Sequence, residues 1–166
     1  MHETSTPDLL PQQLSEVLGH EATEPTNGIF GFDLDPSPEA RVYAGCEFSL
    51  ANGSGSTSRI VFRSAKVTPT KAGLFVTLWK RDESGNTRPY TATDSINEFW
   101  ISAKTKCGYG LFKFTANVLE DVGVLSSATK PGKRGFRIYT PWDENLNPSA
   151  AKAWSWQRKF FTVLER

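Results

Sequence analysis

The chain has 166 residues, of which 38% are apolar and 22% charged, with five tryptophans; that is enough for one domain with its own core and too apolar for general disorder. A net charge of +1 conceals an asymmetry, because residues 1–55 hold Arg41 against nine acidic residues while 56–166 hold eighteen basic and nine acidic ones. No apolar run is long enough to span a bilayer, no signal-peptide pattern follows the polar start, and Cys46 and Cys107 make no disulfide framework, so a cytoplasmic protein without a membrane partner is expected.

Residues 1–8 read as frayed. Leu10, Leu14, Val17 and Leu18 then recur at helical spacing, which predicts a docked amphipathic helix ending near Gly19-His20. The stretch 21–40, rich in Pro, Gly, Asp and Glu, reads as a long connection pinned by Ile29, Phe30, Phe32 and Leu34. Residues 1–40 are thus expected as a helix and acidic extended segment packed on a body formed by 41–166. Alternation over 41–50, with Val42, Ala44, Cys46 and Phe48 on one parity, predicts a first strand. The turn residues at 51–56 lead to a strand at 59–66, and a third is expected at 73–80, the three forming an antiparallel meander.

Further on, 95–98 reads as a short helical turn and 99–103 and 111–114 as strands. Thr115 suits the N-cap of a helix over 116–121 that Gly123 ends. The loop 130–135 precedes a strand at 136–139. Pro148 and the following AAKAWSWQRKFF favour a helix from 148 to 164, with Ala150, Ala153, Trp154, Gln157, Phe161 and Leu164 on an apolar stripe and Lys152, Trp156 and Lys159 on a basic-aromatic one. The whole predicts a single α/β domain with a central mixed sheet and helices near its N- and C-terminal ends.

No phosphate-binding glycine loop is present, and the only histidines, His2 and His20, offer neither a zinc set nor a triad base. Cys107 beside Lys106 is either a reactive thiol or an inert sheet-proximal one. Glu47 and Lys66, on successive strands, form either an ordinary ion pair or part of a metal-dependent nuclease site using Mg2+ or Mn2+. Ser64 stands where an acid-x-Lys arrangement needs its acid, leaving Asp33, Asp35 or Glu39 to supply one. The basic residues Arg63, Lys66, Lys71, Lys104, Lys106, Lys113, Lys133, Arg134 and Arg137 fall near strand ends and turns, and such groups bind phosphates without reading sequence. Tyr109, Tyr139, Trp142 and Trp156 are the candidates for stacking on bases, Trp156 foremost because Lys152 and Lys159 flank it.

Three stretches, FRSAKVTPTKAGLFVTLWKR at 62–81, GLFKFTANVLEDVGVLS at 110–126 and GKRGFRIYTPW at 132–142, resemble the MepB family of small bacterial proteins over roughly 43–162. The resemblance implies a core similar to the PD-(D/E)XK nuclease superfamily, a restriction-endonuclease-like fold, with nucleic-acid binding and a degenerate active site. It makes Lys66 the relic of the nuclease lysine and Ser64 the replacement of its acid. Thr140, before Pro141-Trp142, stands where the family often has proline, a change of local stiffness.

The expected function is therefore noncatalytic nucleic-acid binding, single-stranded RNA or DNA favoured, with no cofactor. One alternative is a divergent metal-dependent nuclease centred on Glu47 and Lys66. Another is a protein-interaction domain whose partner site is the acidic N-terminal segment with exposed aromatics.

Overall fold

Apolar runs at 60–62, 99–103 and 111–114 are too continuous for strands with one wet face, and they occupy the middle of the main sheet. The computed structural model describes residues 10–21, 28–51, 53 and 55–165. The expected frayed start, and Asn52 and Ser54 of the turn near 51–56, lie outside the described residues. Helix α1 (Gln12–Glu21) comes first, then β1 (Ile29–Leu34), the short α2 (Pro38–Arg41), β2 (Cys46–Ala51) and β3 (Thr57–Ser64). The chain continues through β4 (Lys66–Val67), β5 (Leu74–Thr77), β6 (Trp79–Arg81), β7 (Thr87–Pro89), β8 (Glu98–Lys104) and β9 (Tyr109–Thr115). Then follow α3 (Ala116–Asp121), β10 (Gly135–Ile138), α4 (Pro148–Gln157) and β11 (Phe161–Glu165). The Thr115 side chain accepts from the Val118 N–H to cap α3, as its sequence predicts.

Among the described residues the main sheet has six strands in the order β1-β2-β3-β8-β9-β11; β3 and β8 run parallel and the other neighbours antiparallel. A smaller sheet orders β10-β5-β4, and β6 pairs with β7. Among the described residues no helix is long and apolar enough to cross a membrane.

Four sequence expectations change. The antiparallel meander is broken after β3, because Ala65 ends the strand and sends Lys66 into the smaller sheet. The twice-covered β3 takes the equally apolar β8 as its neighbour instead. Residues 29–34, expected as a connection, are an edge strand hydrogen-bonded to β2, which itself begins only at Cys46. The short helical turn falls at Ala92–Asp94, slightly upstream, closed by a capping box between Thr91 and Asp94. The last helix stops at Gln157, passes through a 3-10 turn at Arg158–Phe160 and becomes β11. There the open edge of β9 supplies backbone partners that the helix has no use for.

Side-chain parity divides the packing into two cores. On one face of the main sheet α1 lays Leu14, Val17 and Leu18 over Phe48, Ile60, Phe62, Trp100 and Leu111. On the other, Val61, Phe99, Ile101, Phe112 and Phe114 meet the inner residues of the smaller sheet, Leu74, Val76, Phe136 and Ile138. Trp154 and Trp156 of α4 close this second core from one side. Buried Gln157 acts as a substitute strand: its carbonyl accepts from Tyr139 N–H at 2.9 Å and its amide donates to Arg137 O at 3.0 Å.

Candidate nucleic-acid interface

In the smaller sheet Phe75 lies directly opposite Arg137 on one side and Lys66 on the other. Residues paired in this way project from the same face. Leu74, Val76 and Ile138 take the inner face, so a cation, a half-buried aromatic and a second cation form one row across the outer face. Gly135, opposite Thr77, leaves the space that the Phe75 ring fills; a methyl there would stand 2.6 Å from the Phe75 Cζ. Lys66 is exposed, its ammonium 5.3 Å from the centre of the Tyr43 ring, with no ion pair among the described residues.

The turn beneath the row is built around Arg137. Its Nε and Nη2 donate to Ala72 O at 3.1 and 2.8 Å, and Nη2 also reaches Thr68 Oγ1 at 2.7 Å. Nη1 makes no hydrogen bond among the described residues, leaving a donor for a phosphate oxygen. Gly73 holds φ at +79° and its N–H donates to Asp143, while the Ile138 carbonyl and the Tyr139 ring lie against it. A side chain at 73 would be strained by conformation and by contact together. Exposed Lys71 lines, with Arg137 and Tyr139, a shallow cleft of about 370 Å3 beside the Asn147-capped start of α4.

Lys104, Tyr109, Lys113 and Arg63, also singled out by the sequence, do not belong to this face. Lys104, Tyr109 and Lys113 project on the α1 side: Lys104 pairs with Glu16 at 3.9 Å and lies over Tyr109, and Lys113 sits 4.6 Å from the Trp100 ring centre. Tyr109 is 4% exposed and donates to Glu16 at 3.1 Å, so the stacking platform expected of it is already covered. Burial first, and then the Glu16 contact, pushes its phenol well above the usual range. Trp156 is likewise packed, its ring 5.4 Å from that of Phe114, because α4 lays Trp156 as well as Trp154 on the second core. Lys152 and Lys159 beside it are exposed, as are Lys106 and Lys133. Arg134 is tied to Thr87 through two hydrogen bonds of 3.0 and 2.9 Å. Arg63 is 1% exposed and belongs to the interior. Phe75, which only strand pairing places between two cations, carries no local signal that distinguishes it from a core residue.

Glu47 and Lys66 do not pair. Glu47 lies opposite Val61 on the face of the second core, where Arg59 Nε donates to its Oε2 at 2.7 Å. Arg59 also donates to Asp33 Oδ2 at 3.1 Å and Ser49 Oγ at 3.0 Å, drawing β1, β2 and β3 together. Ser64 has the opposite parity and lines a depression under α1 with Gln12 and Glu16. An acid restored at position 64 would therefore point away from Glu47, on the other face of the sheet. Among the described residues no group of three or more His, Cys, Asp or Glu is placed to hold a metal ion.

Cys46 is buried and Cys107 exposed. Burial pushes the Cys46 thiol up to about 12, against the pull of the Arg63 guanidinium. A thiol reagent such as DTNB at pH 8 is expected to titrate Cys107 in the native protein and Cys46 only after denaturation. Two fast thiols per native chain would contradict this arrangement.

A mixed sheet with a helical N-terminal layer, a second sheet and a C-terminal helix defines a single α/β domain consistent with a restriction-endonuclease-like core. The MepB-like family model matches residues 37–163, and the chain belongs to that family. A solved structure titled "Crystal Structure of MepB" is similar at a TM-score of 0.75 and 26% identity, over 98% of this chain and 97% of that one. No curated protein matches the chain.

Proposed function

We propose that this protein binds single-stranded RNA or DNA without cleaving it, through the outer face of the smaller sheet. The observation that carries the reading is the Lys66–Phe75–Arg137 row: an aromatic for base stacking, with a cation on each side for phosphate. Lys71 extends the positive field along the adjoining turn. Bound Mg2+ or Mn2+ would supply a nuclease with an activated water, but the opposed directions of Glu47 and position 64 favour a noncatalytic role. A bacterial, cytoplasmic setting belongs to the same reading.

Fluorescence anisotropy with matched single-stranded RNA, single-stranded DNA and duplex DNA over a salt series tests it. Binding should fall with salt and favour single strands. Phe75→Ala should weaken it by about 1–3 kcal/mol, the value of one stacked base. Lys66→Glu should lower both the affinity and the salt dependence, whereas Lys104→Glu, on the α1 side, should change neither comparably. Unchanged affinity in folded Phe75→Ala and Lys66→Glu proteins overturns the assignment, and shortening of the oligonucleotide with Mg2+ or Mn2+ overturns its noncatalytic part.

A further inference from the structure

A second concavity lies on the opposite side of β3 from α1, between β1, the 35–38 turn, β2 and β6. Its volume is about 460 Å3, inside the roughly 300–1,000 Å3 range of small-ligand sites. Arg63 is set deep in it, 1% exposed. Its Nη1 donates to Phe62 O at 2.9 Å, and its Nη2 to Asp35 Oδ2 at 3.2 Å and Trp79 O at 3.4 Å. The Nε of the same guanidinium is buried and has no hydrogen-bond partner among the described residues. Leaving a buried donor without a partner is costly, and natural cores seldom retain one without a use for it.

The charges around the cleft limit what that use is. Arg63, Lys80 and Arg81 face Asp33, Asp35 and Glu47, so a bare anion meets carboxylates and a bare cation meets guanidinium. Each acid already holds a cation: Asp35 has Arg63, and Arg59 bridges Asp33 and Glu47. Glu47 Oε1 nevertheless has no hydrogen-bond partner among the described residues, so an acceptor stands available on the same sheet face as the unsatisfied donor. The ring of buried Tyr90 and the exposed Pro36 supply apolar wall. A neutral, flat molecule with a donor and an acceptor on one edge satisfies all of this without altering the charge balance.

We propose that the cleft receives a nucleobase, with a carbonyl oxygen of the base accepting from Arg63 and its amino group donating to Glu47. This rests on the nucleic-acid reading above and adds a base-selecting pocket distinct from the stacking row. Guanine and cytosine carry an amino group and a carbonyl on one edge. Uracil has no amino group: placed the same way it turns its second carbonyl to the carboxylate, and its one ring N–H lies between the two carbonyls.

The test titrates the full chain with guanosine, cytidine and uridine, which lack phosphate, following the backbone amides of Asp35, Ser37, Glu47 and Tyr90 by 15N NMR. Guanosine or cytidine should shift these amides at least tenfold more tightly than uridine. Glu47→Gln, which keeps the side chain's shape, should remove that preference, and Pro36→Trp, at an exposed position of the rim, should block entry without disturbing the core. Anisotropy with single-stranded oligonucleotides, intact and with abasic sites, runs in parallel. Cleft shifts by free nucleosides, with oligonucleotide binding insensitive to Pro36→Trp, support the site and identify a free nucleoside as its source. Loss of oligonucleotide affinity in Pro36→Trp supports it and identifies a base from the strand. No shift of these amides by any nucleoside, while oligonucleotides bind through Phe75, overturns the pocket and leaves the interface standing. Absence of both overturns both.

Discussion

Phe114→Ala is expected to destabilise the protein by about 3–5 kcal/mol, in the range of large aromatic truncations in a closed core. Phe114 is fully buried, and its ring stacks on Phe112 at 5.1 Å between centres. Phe136 of β10 lies at 6.2 Å, Trp156 of α4 at 5.4 Å and Phe160 at 5.7 Å. One side chain thus fastens the smaller sheet and the C-terminal helix to the main sheet. Its removal leaves a cavity walled by residues of three elements, none of which can collapse into it alone. Urea unfolding should show the loss directly, and thermal unfolding should fall by about 2–4 °C for each kcal/mol in a domain of this size. Phe114→Leu, which keeps most of the volume, should cost far less. A loss below about 1 kcal/mol for the alanine variant would mean that the second core is not anchored here.

Arg63→Ala should cost about 3 kcal/mol or more, by a different route. The variant strands the Asp35 carboxylate, whose side chain is 12% exposed, without its cation. Asp35 keeps the Ser37 N–H at 2.9 Å, which places the expectation at the low end of the 3–5 kcal/mol range for broken buried pairs. Arg63→Met combined with Asp35→Asn removes both charges and should recover much of the loss, because a buried pair is often replaceable by neutral groups. A double-mutant cycle measures this coupling. Strict additivity of the two single variants would show that the pair contributes nothing, and would remove the charge balance on which the nucleobase cleft depends.

The two variants also separate what was legible in the chain from what was not. Phe114 lies in an apolar run that the sequence marks as a buried strand, and Thr115 after it is recognisable as a helix cap. Arg63 carries the same local signature as Arg59 or Arg137, a cation next to apolar residues near a strand end. Its burial depends on Asp35, 28 residues away in sequence, and on the backbone of β6. The candidate interface divides similarly. Its cations were readable as a basic set, but the choice among them was not, because nothing local separates Lys104 and Lys113, on the α1 face of the main sheet, from Lys66 on the outer face of the smaller one.

By itself the sequence determined that this chain folds as one α/β domain, where most strands and helices lie, and that its later part is the cationic one. These follow from local rules: side-chain periodicity, capping and turn residues act over a few positions. Only the tertiary structure decided that β3 neighbours β8, that 161–165 is a strand, that Glu47 belongs to Arg59, and that Phe75 stands between Lys66 and Arg137. Each of those depends on which distant backbone edge or charge is within reach. Hydrogen-bond pairing across a sheet selects partners by spatial proximity, and a one-residue change of parity moves a side chain to the other face.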